Sequence, residues 1–330
     1  MTASSEADMQ VDRLFQRFNE PVVTREHIRR WLDQFSGEDQ AGAFALLEAI
    51  EYHSYPRLLQ ETRVLHAKIK EQLDVDGFDS RMFSDVDFSR EFTCKSGDLI
   101  SYIYRKANAV PSVDFKTFDL IISETADCSG QPCNRALVIL DDYTGTGSQF
   151  IFQFVARSAA DIRVLNRYRK VYLASVVIHD NAFGKLDLLQ RGECGTVLSI
   201  EEAQFPDYDW KWEENDLSDA LCRTDWGRIA FLCVQREYPL LSPENSGVPA
   251  ERRELIGHFL ARYGGDSTLA TSFLTGHHAF FYGAPNSLPK ILFPLFSRVE
   301  DVSIYPTEHF IGVSADTVTW TMEDRHPPDQ

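Results

Sequence analysis

The sequence predicts an α/β protein built on a parallel β-sheet, with a helical segment before it and a mixed α+β segment after it. Three observations carry that expectation. Residues 136–140 (Ala-Leu-Val-Ile-Leu) are uniformly apolar and strand-sized, as a strand buried on both faces must be. Between about residue 80 and residue 200, strand-like runs alternate with helical ones, which implies right-handed βαβ units. Before residue 74 the apolar spacing is helical throughout. The chain of 330 residues is long enough for one large or two modest domains and for a core that needs no disulfide scaffold. Its 43% apolar and 25% charged residues are those of an ordinary globular protein, which excludes disorder and coiled coil as whole-chain readings.

In chain order, residues 11–18 place Leu14, Phe15 and Phe18 on one helical stripe. Thr24 is a candidate N-cap for a helix through Phe35, with Ile28, Trp31, Leu32 and Phe35 at helical spacing. Ser36, with Asp39 three residues on, resembles a capping box opening the next helix, whose apolar face is Phe44, Leu47 and Ile50. Ser54 and Pro56 start a longer helix through about Leu73, carrying Leu58, Leu59, Val64, Leu65 and Ile69. Four short-linked helices predict a small bundle over residues 1–78. An α/β core is expected over 79–200, with strands at 86–92, 118–123, 136–140 and 171–178 and helices at 99–106 and 150–164. Lys95-Ser96-Gly97-Asp98 breaks the chain between the first strand and the first helix. Residues 201–322 form an extension completing the core. It holds an aromatic, acidic loop at 205–216, strands at 229–234 and 279–282, a helix at 251–263 and a β-hairpin or meander at 302–322. Residues 323–330 are a tail.

Formal charge is −17, from 33 basic and 50 acidic residues. Such a chain repels phosphate backbones at long range, so general nucleic-acid binding is not expected. No apolar run is long enough for a bilayer span. The start, MTASSEADMQ, lacks the basic and apolar regions of a signal peptide. Six cysteines without a C-x-x-C pair suit reduced thiols, and the expected location is cytoplasmic. The histidines show no metal-binding spacing; His277 and His278 are adjacent and would point apart in a strand, so a histidine metal site is not expected.

One segment carries chemistry: Leu-Val-Ile-Leu-Asp-Asp-Tyr-Thr-Gly-Thr-Gly-Ser-Gln, residues 137–149. A buried strand delivers Asp141 and Asp142 to the carboxyl edge of the sheet, where α/β folds bind ligands. The pair is expected at a solvent-facing strand end. Gly145 and Gly147 permit positive φ and let backbone N–H groups close around an anion. Thr144, Thr146 and Ser148 add hydroxyls, and the following helix offers its N-terminus to a phosphate. A P-loop, a G-x-G-x-x-G loop and a G-x-S-x-G elbow are all absent from the sequence.

This run resembles the PRPP loop of type I phosphoribosyltransferases, in which apolar residues and two acids lead through a short spacer into Thr-Gly and a small polar residue. Val138 to Ser148 match without an insertion; the departure is Gln149, where Thr is common. The resemblance implies a Rossmann-like sheet of the type I phosphoribosyltransferase kind. In that family the acids hold the ribose 2′- and 3′-hydroxyls and the loop cradles the 5′-phosphate. Lys95, Ser96 and Gly97, after the first core strand, correspond to the pyrophosphate loop. The wider layout resembles a divergent branch from bacterial conflict and anti-phage defence loci, some of it beside retron reverse transcriptases. Its late P-N-x-L-P turn is here Pro285-Asn286-Ser287-Leu288-Pro289.

The resemblance implies a pentosyltransferase-like site that binds PRPP or a related ribose-phosphate or nucleotide. Mg²⁺ would be held at Asp141 and Asp142, directly or through water. Asn286 and Tyr282 would lie on the base or acceptor side, with Tyr208, Trp210, Trp212, Phe280 and Phe281 available for stacking. A non-catalytic ribose-phosphate sensor and a complex subunit docking through the N-terminal helices are the alternatives. A homo-oligomer or a heteromeric complex, including docking on a reverse transcriptase and its RNA, is implied by the resemblance alone.

Overall fold

The computed structural model describes residues 3–18, 23–90, 96–110, 115–117, 120–121, 133–148, 150–151, 168–204, 219, 221–263, 276–282 and 288–296. The chain divides into two compact units. One holds Met1–Leu58 with the described residues from Glu237 onward, and the other holds Leu59–Arg236. This division differs from the expected cuts at 78 and 200. Among the described residues no helix is long and apolar enough to cross a membrane.

The second unit is an α/β sheet of five parallel strands flanked by helices. After a short strand β1 (Glu51–His53) in the first unit come β2 (Val86–Arg90), β3 (Phe115–Lys116), β4 (Cys133–Thr144), β5 (Tyr168–His179) and β6 (Ile229–Glu237). Their spatial order is β3-β2-β4-β5-β6. The chain runs outward from β2 to β3, returns past β2 to β4, and continues outward to β5 and β6. Connections leaving the carboxyl ends of β2 and β4 therefore depart in opposite directions. That is a topological switch point, where an open α/β sheet forms its ligand crevice.

β4 is a strand because both of its faces have partners. Ala136, Val138 and Leu140 pack into one layer with Tyr172 and Ala174 of β5 and with Leu65, Ile69 and Leu73. Leu137 and Ile139 pack into the opposite layer with Val171, Leu173, Leu186 and Leu189. All five of these β4 side chains are fully buried, and each of the Leu, Val and Ile side chains contributes roughly 1.5–3 kcal/mol by leaving water. A one-residue slip would exchange the two layers, so the register that places Asp141 opposite Ser175 is strongly specified.

Leu65, Ile69 and Leu73 belong to the helix Tyr55–Val75. Their spacing makes one apolar stripe, and that stripe covers the sheet. The expected four-helix bundle therefore does not form: periodicity shows which face of a helix is buried, not what covers it. Helices Ala3–Phe18, Arg25–Leu32 and Glu38–Ala49 instead share the first unit's core with helix Ala250–Tyr263 and with Leu292 and Phe296. Trp31 is its anchor, donating from Nε1 to the Ile291 carbonyl at 3.0 Å. Thr24 caps its helix as expected, accepting from the His27 N–H at 3.1 Å. The Ser36 capping box does not form. Gly37, at φ +57°, is the N-cap of helix Glu38–Ala49, with no side-chain cap bond. Gly42 lets this helix approach closely, since a Cβ there would lie 2.7 Å from Phe259 Cβ. A two-stranded parallel pair of β1 with β7 (His278–Phe280) completes the described first unit.

Two further expectations change. The strand sought at 118–123 lies earlier, at Phe115–Lys116, and Leu120 and Ile121 are helical, with the Ile121 N–H donating to the Thr117 carbonyl at 3.0 Å. The helix sought at 99–106 starts at Ser96, so Ser96-Gly97-Asp98 is its first turn rather than a separate break. Most of the helix expected at 150–164, the aromatic loop at 205–216, the meander at 302–322 and the tail lie outside the described residues.

Candidate functional site

β4 carries its pairing through both acids to Thr144, because β5 continues beside it to His179. Asp141 and Asp142 are thus strand residues, only 8% and 5% exposed, and not the solvent-facing pair expected. The Asp142 N–H donates to Asp141 Oδ1 at 3.0 Å, and the Thr144 and Ser175 hydroxyls lie 2.6 Å apart. The chain then turns. Gly147 takes φ +71°, and a Cβ on it would stand 3.1 Å from Ala182 Cβ. The Ser148 N–H donates to Thr146 Oγ1 at 3.2 Å, and the Ile151 N–H donates to the Gly147 carbonyl at 2.8 Å. Residues 144–148 therefore form a compact hydroxyl-rich turn running into a helical one.

The helix after β5, Asp180–Gln190, backs this turn. His179 caps it, Nδ1 accepting from the Asn181 N–H at 3.2 Å. Ala182 limits the space at Gly147, and Lys185, buried to 3% exposure, donates from Nζ to Ser148 Oγ at 3.0 Å. Lys185 is a candidate site residue that reading the sequence missed. Phe183-Gly184-Lys185 matches no motif, and only its position after a strand's carboxyl end marks it.

The second candidate loop leaves the same edge. Arg90 of β2 pairs in register with Leu140 of β4, and β4 runs on four residues further, to Thr144. Gly97 is buried in the first turn of helix Ser96–Asn108. Lys95 lies outside the described residues. The structure thus places residues 141–148 at the switch point, while residues 91–95, which join β2 to Ser96 and Gly97, lie outside the described residues. The available donors are carboxylate and hydroxyl oxygens, a hard set that fits Mg²⁺ and not a thiophilic ion.

Over residues 28–294 the chain matches the family model PRTase-CE, phosphoribosyltransferases of conflict systems. The chain belongs to the PRTase-CE family. The match spans both units, so the first unit is part of the PRTase-CE fold region and not an unrelated addition. Neither the curated proteins nor the solved structures gave a match. The family accounts for the α/β sheet, and makes this PRTase-CE chain a phosphoribosyltransferase-like protein of conflict systems.

Of the acceptor-side candidates, Asn286 lies outside the described residues. Tyr282 belongs to the first unit, where its ring stacks on Phe280 at 5.5 Å. The expectation for the paired histidines is corrected. β7 begins only at His278, so strand alternation does not separate His277 from it, and the two rings lie 4.6 Å apart.

Proposed function

We propose that this protein binds PRPP, or a closely related ribose 5-phosphate ester, at the carboxyl end of β4 and acts as a pentosyltransferase at ribose C1′. The observation that carries this reading is the junction of the acid pair with a turn that only glycine suits at Gly147, backed by the buried Lys185. The 5′-phosphate would lie against the backbone of Thr144 to Ser148, with the hydroxyls of Thr146 and Ser148 as further donors. Lys185, acting beside Ser148, supplies positive charge toward the phosphate. Asp141 and Asp142 would accept from the ribose 2′- and 3′-hydroxyls, fixing the sugar with C1′ toward the end of β2.

The reaction is a displacement. The C1′–O bond to pyrophosphate breaks as a bond from C1′ to the acceptor forms, and pyrophosphate leaves with the bonding pair. Positive charge grows on the sugar ring before the acceptor closes in, and the two carboxylates face that charge. Holding the ring still accounts for the remainder of the catalysis. Asp141 and Asp142 would hold Mg²⁺, directly or through water, and the ion would supply charge neutralisation to the departing pyrophosphate. Lys95, Ser96 and Gly97, following β2, are the proposed pyrophosphate side, and Asn286 and Tyr282 the proposed acceptor side.

Calorimetric titration of the full chain with PRPP, with and without Mg²⁺, tests binding. Mass spectrometry of pyrophosphate and ribosyl products, after incubation with a panel of bases and nucleotides, tests turnover. Micromolar binding with pyrophosphate release is expected. Binding without release would make the site a sensor, and absence of binding would overturn the assignment.

A further inference from the structure

The first unit contains a second cluster of chemically active side chains that the ribose-phosphate reading does not use. Glu237, His277 and His278 come from three places in the sequence pattern: the end of β6, the residue before β7 and its first residue. One ligand atom from each lies within 4.8 Å of the other two. All three side chains are buried, at 1%, 7% and 1% exposure. Glu237 Oε1 stands 3.0 Å from His277 Nδ1 and 3.8 Å from His278 Nε2. Ligands about 2.1 Å from a tetrahedral ion stand roughly 3.4 Å apart, so these two spacings bracket that of an occupied site.

Two details separate this cluster from an ordinary buried ion pair. His277 Nδ1 and His278 Nε2 make no aligned hydrogen bond among the described residues, despite their closeness to the carboxylate. Their in-plane axes are therefore aimed elsewhere than at that oxygen, as they are when several ligands converge on a third body. The far side of His278 is also arranged for metal binding, since its Nδ1 lies 2.7 Å from His53 Nε2. With its proton on Nδ1, His278 donates to His53 and keeps Nε2 as the lone-pair ligand atom; such outer hydrogen bonds fix the tautomer of metal-bound imidazoles. The backbone N–H of His277 donates to Glu237 Oε1 at 2.6 Å and holds the carboxylate in place.

We propose that Glu237, His277 and His278 form a divalent transition-metal site of the zinc class, oriented by His53. Two imidazoles and one carboxylate suit Zn²⁺, whereas Mg²⁺ and Ca²⁺ take oxygen sets. Three protein ligands leave a fourth position for water or another ligand. His277 also lines a cavity of about 320 Å³, together with Arg17, Glu48, Glu51, Arg57 and Arg252. The site is independent of the ribose-phosphate loop, so either assignment can fail without the other.

The test uses the full chain, stripped with a chelator, desalted and titrated with ZnCl₂. One zinc per chain by elemental analysis is expected, with a melting temperature that rises on zinc addition. Glu237→Gln and His278→Gln should each weaken zinc binding by about 100-fold or more, and His53→Gln by about 10- to 100-fold. Asp141→Asn with Asp142→Asn should bind zinc as the unaltered chain does. Because buried substitutions can unfold a protein, Co²⁺ bound to the unaltered chain gives an independent reading. A tetrahedral d–d spectrum without thiolate charge transfer supports the site. Failure of the unaltered chain to retain stoichiometric zinc, a thiolate spectrum, or undiminished affinity in folded Glu237→Gln would each overturn it.

Discussion

Lys185 Nζ donates to Ser148 Oγ across 3.0 Å, joining the helix after β5 to the glycine turn after β4. Lys185 is 3% exposed. Under the proposed ribose-phosphate reading, its placement against a turn of hydroxyls and N–H donors would make it the cationic element of a phosphate cradle.

Replacing Lys185 by Met keeps the length and apolar stem and removes the charge. Affinity for PRPP, and for inorganic phosphate as a probe, should fall by roughly 10- to 100-fold, the loss of about 1.4–3 kcal/mol for a hydrogen bond to a charged group. The melting temperature without ligand should hold or rise, because a buried charge is removed. Calorimetry beside a thermal melt separates the two effects, and unchanged phosphate affinity would remove Lys185 from the site.

Gly147→Ala should lower both stability and binding. At φ +71° an L-residue is strained by roughly 1–2 kcal/mol, and the new methyl would press on Ala182 at 3.1 Å. The helix Asp180–Gln190 must shift to relieve this contact, and Lys185 shifts with it. Gly145→Ala is the comparison: it meets only the Tyr143 ring at 3.2 Å, and Gly145 is not among the positive-φ glycines. Denaturant unfolding of the two variants should rank Gly147→Ala clearly below Gly145→Ala; equal stabilities would count against the strained turn.

The buried strand, the acid pair and the glycine turn were legible because each is a local pattern: a two-sided apolar run, then charge, then conformational freedom. The burial of Asp141 and Asp142 was not legible. It depends on how far β5 runs beside β4, which no residue of the loop encodes. Lys185 and the Glu237–His277–His278 cluster were hidden for a related reason, since folding brings them together from segments far apart in the sequence. The helix Tyr55–Val75 shows the other limit. Its stripe of Leu65, Ile69 and Leu73 was visible, but a sheet and a helix bundle ask for the same stripe.

Asp141→Asn with Asp142→Asn should remove PRPP binding at every Mg²⁺ concentration. The change is isosteric, and the new amide at position 141 keeps an oxygen for the backbone N–H of residue 142, which now donates to the Asp141 carboxylate at 3.0 Å. Two neighbouring carboxylates at the end of a buried strand also repel one another, so neutralising them should leave stability unchanged or slightly raised. The ligand-induced gain in melting temperature should vanish while the unliganded value stays. A large drop in the unliganded value would mark the acids as scaffold and take away the main support for a ribose-phosphate site.

Acid sensitivity of the second unit should be traceable to His66. Burial, with Lys70 nearby, lowers its pKa from 6.5 to about 4. Its Nδ1 lies 2.6 Å from the Tyr104 hydroxyl, and the Phe83 ring centroid is 5.6 Å away. The neutral ring can accept from Tyr104, while the protonated ring cannot. Because the folded-state pKa lies below the unfolded one, the unfolded chain binds the proton first as pH falls. The His66 contribution is therefore complete above about pH 6.5, declines as pH falls toward 4, and changes no further below that, where both states are charged. His66→Gln retains a side-chain acceptor for Tyr104 but does not titrate. Its unfolding free energy should be flatter than that of the unaltered chain between pH 6.5 and 4, with the two curves parallel at neutral pH and above. Denaturant midpoints taken at half-unit pH steps would show the difference, and parallel curves across the whole acid range would assign the sensitivity to other groups.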